Sequence, residues 1–152
     1  MTTTEIKRML KGYIEAETER GRIKDVIDEI NTKLYNITSD FTKPRVQSSL
    51  DKDILTSLTN RLIELKQKYK EKDIEAAEQM IIALKLINLV ESSTLRKILT
   101  YRYILDMGWE EIACKEHYSF RHAIRLHGDA LFDIKRAIEK EKEKEKGEKT
   151  DG

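Results

Sequence analysis

The sequence predicts an all-α fold, and three observations predict it. The chain of 152 residues holds one proline and six glycines, so few positions interrupt a helix. Charged residues make up 38% and hydrophobic residues 39%, a helical composition. Apolar residues recur at spacings of three and four over most of the chain, the period of one helix face. The expected layout is a hairpin of two long helices over residues 1–72 (a coiled-coil arm). A helix-turn-helix bundle follows over 73–138, and a charged, disordered tail over 139–152.

The first helix is expected from Thr4 to about Ile37. Thr4 is a suitable cap, although Lys7 stands where a capping box would place Glu. Its stripe is Ile6, Leu10, Tyr13, Ile23, Ile27, Ile30, Leu34 and Ile37. Between Glu15 and Lys24 the stripe weakens and Gly21 follows, which predicts a bend or looser packing. Thr38 to Ser49 is rich in loop formers and carries Pro44, so it reads as the hairpin loop. Lys43 and Arg45 in this loop read as exposed charge, with a DNA or partner contact as the alternative.

A second helix starts at Ser49 or Asp51, and Ile54, Leu58, Leu62, Leu65 and Tyr69 form its stripe, suited to pairing with the first. Lys66 to Asp73 is strongly charged, solvated helix or a break. The apolar pattern resumes through Ile74, Ala77, Met80, Ile81, Leu84, Ile87 and Leu89. Ser92 or Ser93 caps a further helix, Leu95 to about Asp106, with Ile98, Leu99, Tyr103, Ile104 and Leu105 as its apolar face. Gly108 is expected to end it in the left-handed conformation.

The stretch from Trp109 to Ile138 carries the functional signal. A helix over Trp109 to Glu116 is followed by a tight turn and by Ser119, whose hydroxyl can cap the next helix. Ala113 is small where the two helices would meet, and Ile112, Tyr118, Ala123 and Leu126 fall on their inner faces. On the second helix Phe120, Ala123, Ile124, His127, Ala130, Leu131, Ile134 and Ile138 make a core stripe. Arg121, His122, Arg125, Asp129 and Arg136 lie on the other side. A recognition helix needs such a face, with donors in its first two turns and a back that packs on the protein. An amphipathic helix with a merely solvated polar face has the same period.

Trp109-Glu-Glu-Ile-Ala, Tyr118-Ser119 and Arg125-Leu-His-Gly-Asp-Ala130-Leu131 resemble the fourth region of sigma-70-family factors. The stretch resembles more closely the small phage regulators of the ArpU and RinA type, over about Leu95 to Ile138, under a third of the chain. It departs from the pattern at His117, where the turn often has glycine. The resemblance implies a transcriptional regulator of late phage genes whose Arg121, His122 and Arg125 face bases or phosphates. Ser119, Lys115, Tyr118 and Arg136 complete the candidate DNA-contacting set.

Other chemistry is not indicated. There is no glycine-rich phosphate loop, zinc spacing or nucleophile elbow. His117, His122 and His127 lie five apart, whereas chelating pairs on one helix lie three or four apart. No enzyme activity, cofactor or metal is expected. A lone cysteine, Cys114, excludes an internal disulfide and suits a reducing cytoplasm; it is expected to be buried or half-buried. No apolar run is long enough to span a membrane and no signal-peptide pattern opens the chain. The net charge of +1 argues against binding DNA by bulk charge, so a positive face must be local.

The leading expectation is therefore a sequence-specific regulator that binds double-stranded DNA as a homodimer or higher oligomer. A module that acts on RNA polymerase is the alternative, and a coiled-coil adaptor without nucleic acid is a third reading. Glu139 to Gly152 alternates Glu and Lys; its first part is suited to extending the last helix and the rest to disorder.

Overall fold

The computed structural model describes residues 1–40 and 49–150, and every regular element among them is helical. The helices are α1 (Thr3–Asp40), α2 (Ser49–Asn88), α3 (Ser93–Tyr103), α4 (Trp109–Glu116) and α5 (Phe120–Thr150). The all-α expectation holds. Pro44, Lys43 and Arg45, and with them the expected hinge, lie outside the described residues.

α1 starts earlier than Thr4. The Thr2 hydroxyl accepts a bond from the Glu5 backbone N–H at 3.2 Å, and Glu5 Oε2 accepts one from the Thr2 backbone N–H at 2.9 Å. This reciprocal pair is a capping box. The bond from the Thr2 backbone holds the Glu5 carboxyl below its ordinary pKa. α1 is one continuous helix through the stretch near Gly21, where a bend or looser packing is expected from the sequence. Ala16, buried, continues the apolar stripe through the weak stretch. α2 is likewise continuous through Lys66 to Asp73.

The described chain forms two compact units, and their division differs from the expected arm of residues 1–72. One unit is Ala16–Glu75; the other joins Met1–Glu15 to Ala76–Gly152. In the first, Ile23, Ile27 and Ile30 of α1 pack with Leu65 of α2, flanked by Leu34, Leu58, Leu62 and Tyr69. Arg20 forms an ion pair with Asp73 at 2.6 Å and with Glu17 at 2.8 Å. Ile54, expected in this core, is exposed.

The second unit contains the main core. Ile6 and Leu10 of α1, Ala83, Leu86 and Ile87 of α2, Leu95, Leu99 and Tyr103 of α3, and Ala130, Leu131 and Ile134 of α5 form one cluster, with Val90 between α2 and α3. Each fully buried Ile or Leu contributes about 1.5–3 kcal/mol by leaving water. On α2 the buried face is Ala76, Ala83, Leu86 and Ile87, whereas Ile74, Ala77, Ile81 and Leu84, expected inside, are exposed. The covered sector is thus rotated from the one that the bulky residues marked.

α3 is capped by Ser92, whose hydroxyl accepts from the Leu95 N–H at 3.4 Å. It ends at Tyr103 rather than Asp106, and Leu105 is exposed in the turn. The left-handed residue here is Asp106 at φ 53°, not Gly108, which is extended at φ −71° and caps α4. Arg102 holds this turn, donating to the Met107 carbonyl at 3.1 Å with its guanidinium over the Trp109 ring.

α5 runs through the charged segment to Thr150, so residues 139–150 are helical rather than disordered. Alternating Glu and Lys over residues 139–146 place opposite charges three apart, though like charges four apart, on the helix surface, and Gly147 is the sole weak helix former before Thr150.

Candidate nucleic-acid interface

The turn between α4 and α5 follows from three adjacent residues. His117 adopts φ 57° and ψ 37°, the left-handed conformation, at the C-terminus of α4. Its N–H and that of Tyr118 return to α4, the latter to the Ala113 carbonyl at 2.9 Å, satisfying carbonyls that the helix end leaves open. Ser119 then caps α5, its hydroxyl accepting from the His122 N–H at 3.1 Å. The residue that departs from the glycine pattern therefore adopts the glycine-like conformation.

Packing fixes the two helices against α3. Ile98, Met107 and Ile112 form a buried cluster, with Tyr101, Trp109, Tyr118 and Leu126 against it. Ala113 and Ala123 are buried, as their positions on the inner faces predicted. Glu116 receives a bond from the Tyr101 hydroxyl at 3.0 Å and faces Lys97 at 3.6 Å, so its charge is partnered. Burial, and then the bond to Glu116, push the Tyr101 phenol up.

At the centre of the unit lies His127, which shares a 2.6 Å hydrogen bond with the Tyr103 hydroxyl and meets the edge of Trp109 at 4.7 Å between centroids. Burial lowers its pKa to about 4, and the charges of Lys7, Arg102 and Lys11 act in the same direction. Burial raises Tyr103 to about 12. Both groups are neutral at ordinary pH and bind the helices together.

The outward face of α5 differs from the expected one. Arg121, Arg125, Asp129 and Arg136 are exposed, as expected. His122 is half-buried: its ring meets Tyr118 edge-on at 4.8 Å, and its Nδ1 accepts from the Arg125 guanidinium at 2.7 Å. Arginine has no acceptor, so Nδ1 is unprotonated and the ring hydrogen is on Nε2. This bond draws Arg125 back towards the start of α5. Tyr118 is half-buried beneath His122, and Lys115 lies over the Tyr101 ring at 4.9 Å. Ser119 is exposed as well as capping. Six of the seven candidate residues thus gather around one turn. Arg136 stands about 16 Å further along the helix, over the Phe132 ring.

Two residues assigned to the core stripe are outside it. Phe120 is 47% and Ile124 40% exposed. Ile124 lies about 100° from the centre of the apolar sector that Ala123, Ala130 and Ile134 mark, at its edge, whereas Phe120, about 60° from it, is the first residue of α5. Phe132 is also exposed, and so is Cys114, against the expectation of burial.

No metal-holding group of three or more His, Cys, Asp or Glu occurs among the described residues, and no described helix is long and apolar enough to cross a membrane. The chain matches no family model, no curated protein and no solved structure.

Proposed function

We propose that this protein is a sequence-specific double-stranded-DNA-binding transcriptional regulator, of the phage late-gene kind that its sequence resembles. α4 and α5 serve as its helix-turn-helix and α5 as the reader. The observation that carries this reading is the capped start of α5. Arg121 and Arg125 stand exposed in its first two turns while Ala123, His127 and Ala130 anchor its back. An exposed arginine there can reach guanine O6 and N7 with two parallel hydrogen bonds. Lys115, at the other side of the turn, suits a phosphate. With a net charge of +1 the chain has little bulk attraction for DNA, so pairing of two copies on two half-sites supplies the affinity.

Selection of bound duplexes from a random pool tests the proposal. A recovered motif whose binding weakens steeply with salt supports it. Failure to enrich any sequence, with the chain folded, refutes it. A second reading, a module acting on RNA polymerase, rests on exposed Phe132 and Leu105. Capture of polymerase without DNA would favour it.

A further inference from the structure

The outward face of α5 is not purely basic. Phe120 and Ile124, one turn apart, form a small half-exposed apolar spot at the border of the core sector, and Arg121 and Arg125 follow it on the outward side. Phe120 keeps 47% and Ile124 40% of its surface in water, so part of each side chain is open. Ile is also a poorer helix former than Leu or Ala, so the fold alone gives little reason for it at an exposed position. Gly128 follows on the same face, and a Cβ there would meet nothing within 4 Å, so the flank of Ile124 away from the turn is bare.

We propose that Ile124, with Phe120 beside it, receives the C5-methyl group of a thymine adjacent to a guanine read by Arg121 or Arg125. This inference rests on the DNA-binding reading above. The chemistry is that of the major groove, where thymine alone presents a methyl group and guanine two acceptors. Ile124 stands about 4.5 Å along the helix from Arg121, comparable with the 3.4 Å between stacked base pairs. A face that alternates guanidinium with aliphatic carbon therefore fits guanine beside thymine better than it fits phosphate, which offers nothing apolar. The arginines give the face its sign and select a polyanion as occupant.

A uracil scan tests this. Each thymine of the selected duplex is replaced in turn by uracil, which removes only the methyl group. Binding is followed by fluorescence anisotropy for the wild type and for Ile124→Ala. At one position the wild type should lose about fourfold in affinity, the worth of one buried methyl. Ile124→Ala should bind the thymine duplex at least as weakly and show no further loss with uracil. A flat scan for the wild type, or an undiminished uracil effect in Ile124→Ala, overturns the inference. If Arg125→Ala weakens binding while the scan is flat, only the thymine assignment fails. If the wild type selects no duplex, the DNA-binding reading fails and takes this inference with it. Ile124 is partly exposed, so the variant should fold, and its thermal melt checks that.

Discussion

The Tyr103 hydroxyl and His127 Nε2 lie 2.6 Å apart and join α3 to α5 inside the bundle. Burial keeps the imidazole neutral at ordinary pH and raises the pKa of the phenol beside it. Lys7, Lys11 and Arg102 add positive charge around His127, so a proton on it has no compensating partner there. The pair is therefore a structural joint with a built-in sensitivity to acid.

Stability should consequently fall with pH in a defined window. The folded-state pKa of His127 is about 4, against an ordinary value of 6.5 for histidine. The unfolded chain takes up a proton below about pH 6.5 that the folded chain refuses until about pH 4. Stability from this group is thus complete above 6.5, declines between 6.5 and 4, and is constant below. The decline should be about 3 kcal/mol at most. Urea denaturation across this range checks it, and His127→Phe should flatten the slope whatever its own stability. Equal slopes in the two proteins would refute the assignment.

The reading of bases can be separated from the fold. Arg121→Ala and Arg125→Ala should each weaken specific binding by about 1–3 kcal/mol and relax preference at one base pair. Arg136→Ala, about 16 Å further along α5, should weaken all sequences alike. Equilibrium titration against selected and scrambled duplexes provides the comparison. Wild-type binding by both folded arginine variants would remove α5 as the reader.

The turn makes a prediction of its own. Ser119→Ala should destabilise by about 1 kcal/mol through loss of the cap bond from the His122 N–H. His117→Gly should raise stability by about 0.5–1 kcal/mol, because φ 57° is costly for a residue with a Cβ. Thermal melts of the two variants should shift in opposite directions; a shared direction would contradict the cap assignment.

Core and surface positions on α5 should respond unequally. Ile134, with no exposed surface, should cost about 2–5 kcal/mol on truncation to alanine. Phe120→Ala should cost less than about 1 kcal/mol, since the ring is half in water and loses little burial. Comparable losses at the two sites by chemical denaturation would show that Phe120 packs more tightly than its exposure implies.

The sequence by itself determined the helices and the junction of α4 with α5, but not the end of α3 at Tyr103 or the left-handed Asp106 that follows it. Helix content, the bounds of α4, a serine cap for α3 at Ser92 or Ser93, the cap at Ser119, and the tolerance of His117 for the turn rest on neighbours within about one turn. Such interactions are written locally in the chain. Thr2 and Glu5 were equally legible, but Thr4 competed for the same role two residues on. Only the tertiary structure decided which sector of each helix is covered. Periodicity marks where bulky apolar residues stand, whereas burial depends on which neighbour approaches and how closely. α2 buries Ala76 and Ala83, small residues that carry little hydrophobic signal yet permit close packing, and leaves Ile74 and Ile81 in water. For the same reason Phe120 and Ile124 read as core from their spacing and stand half-exposed at the border between the apolar sector of α5 and its arginines.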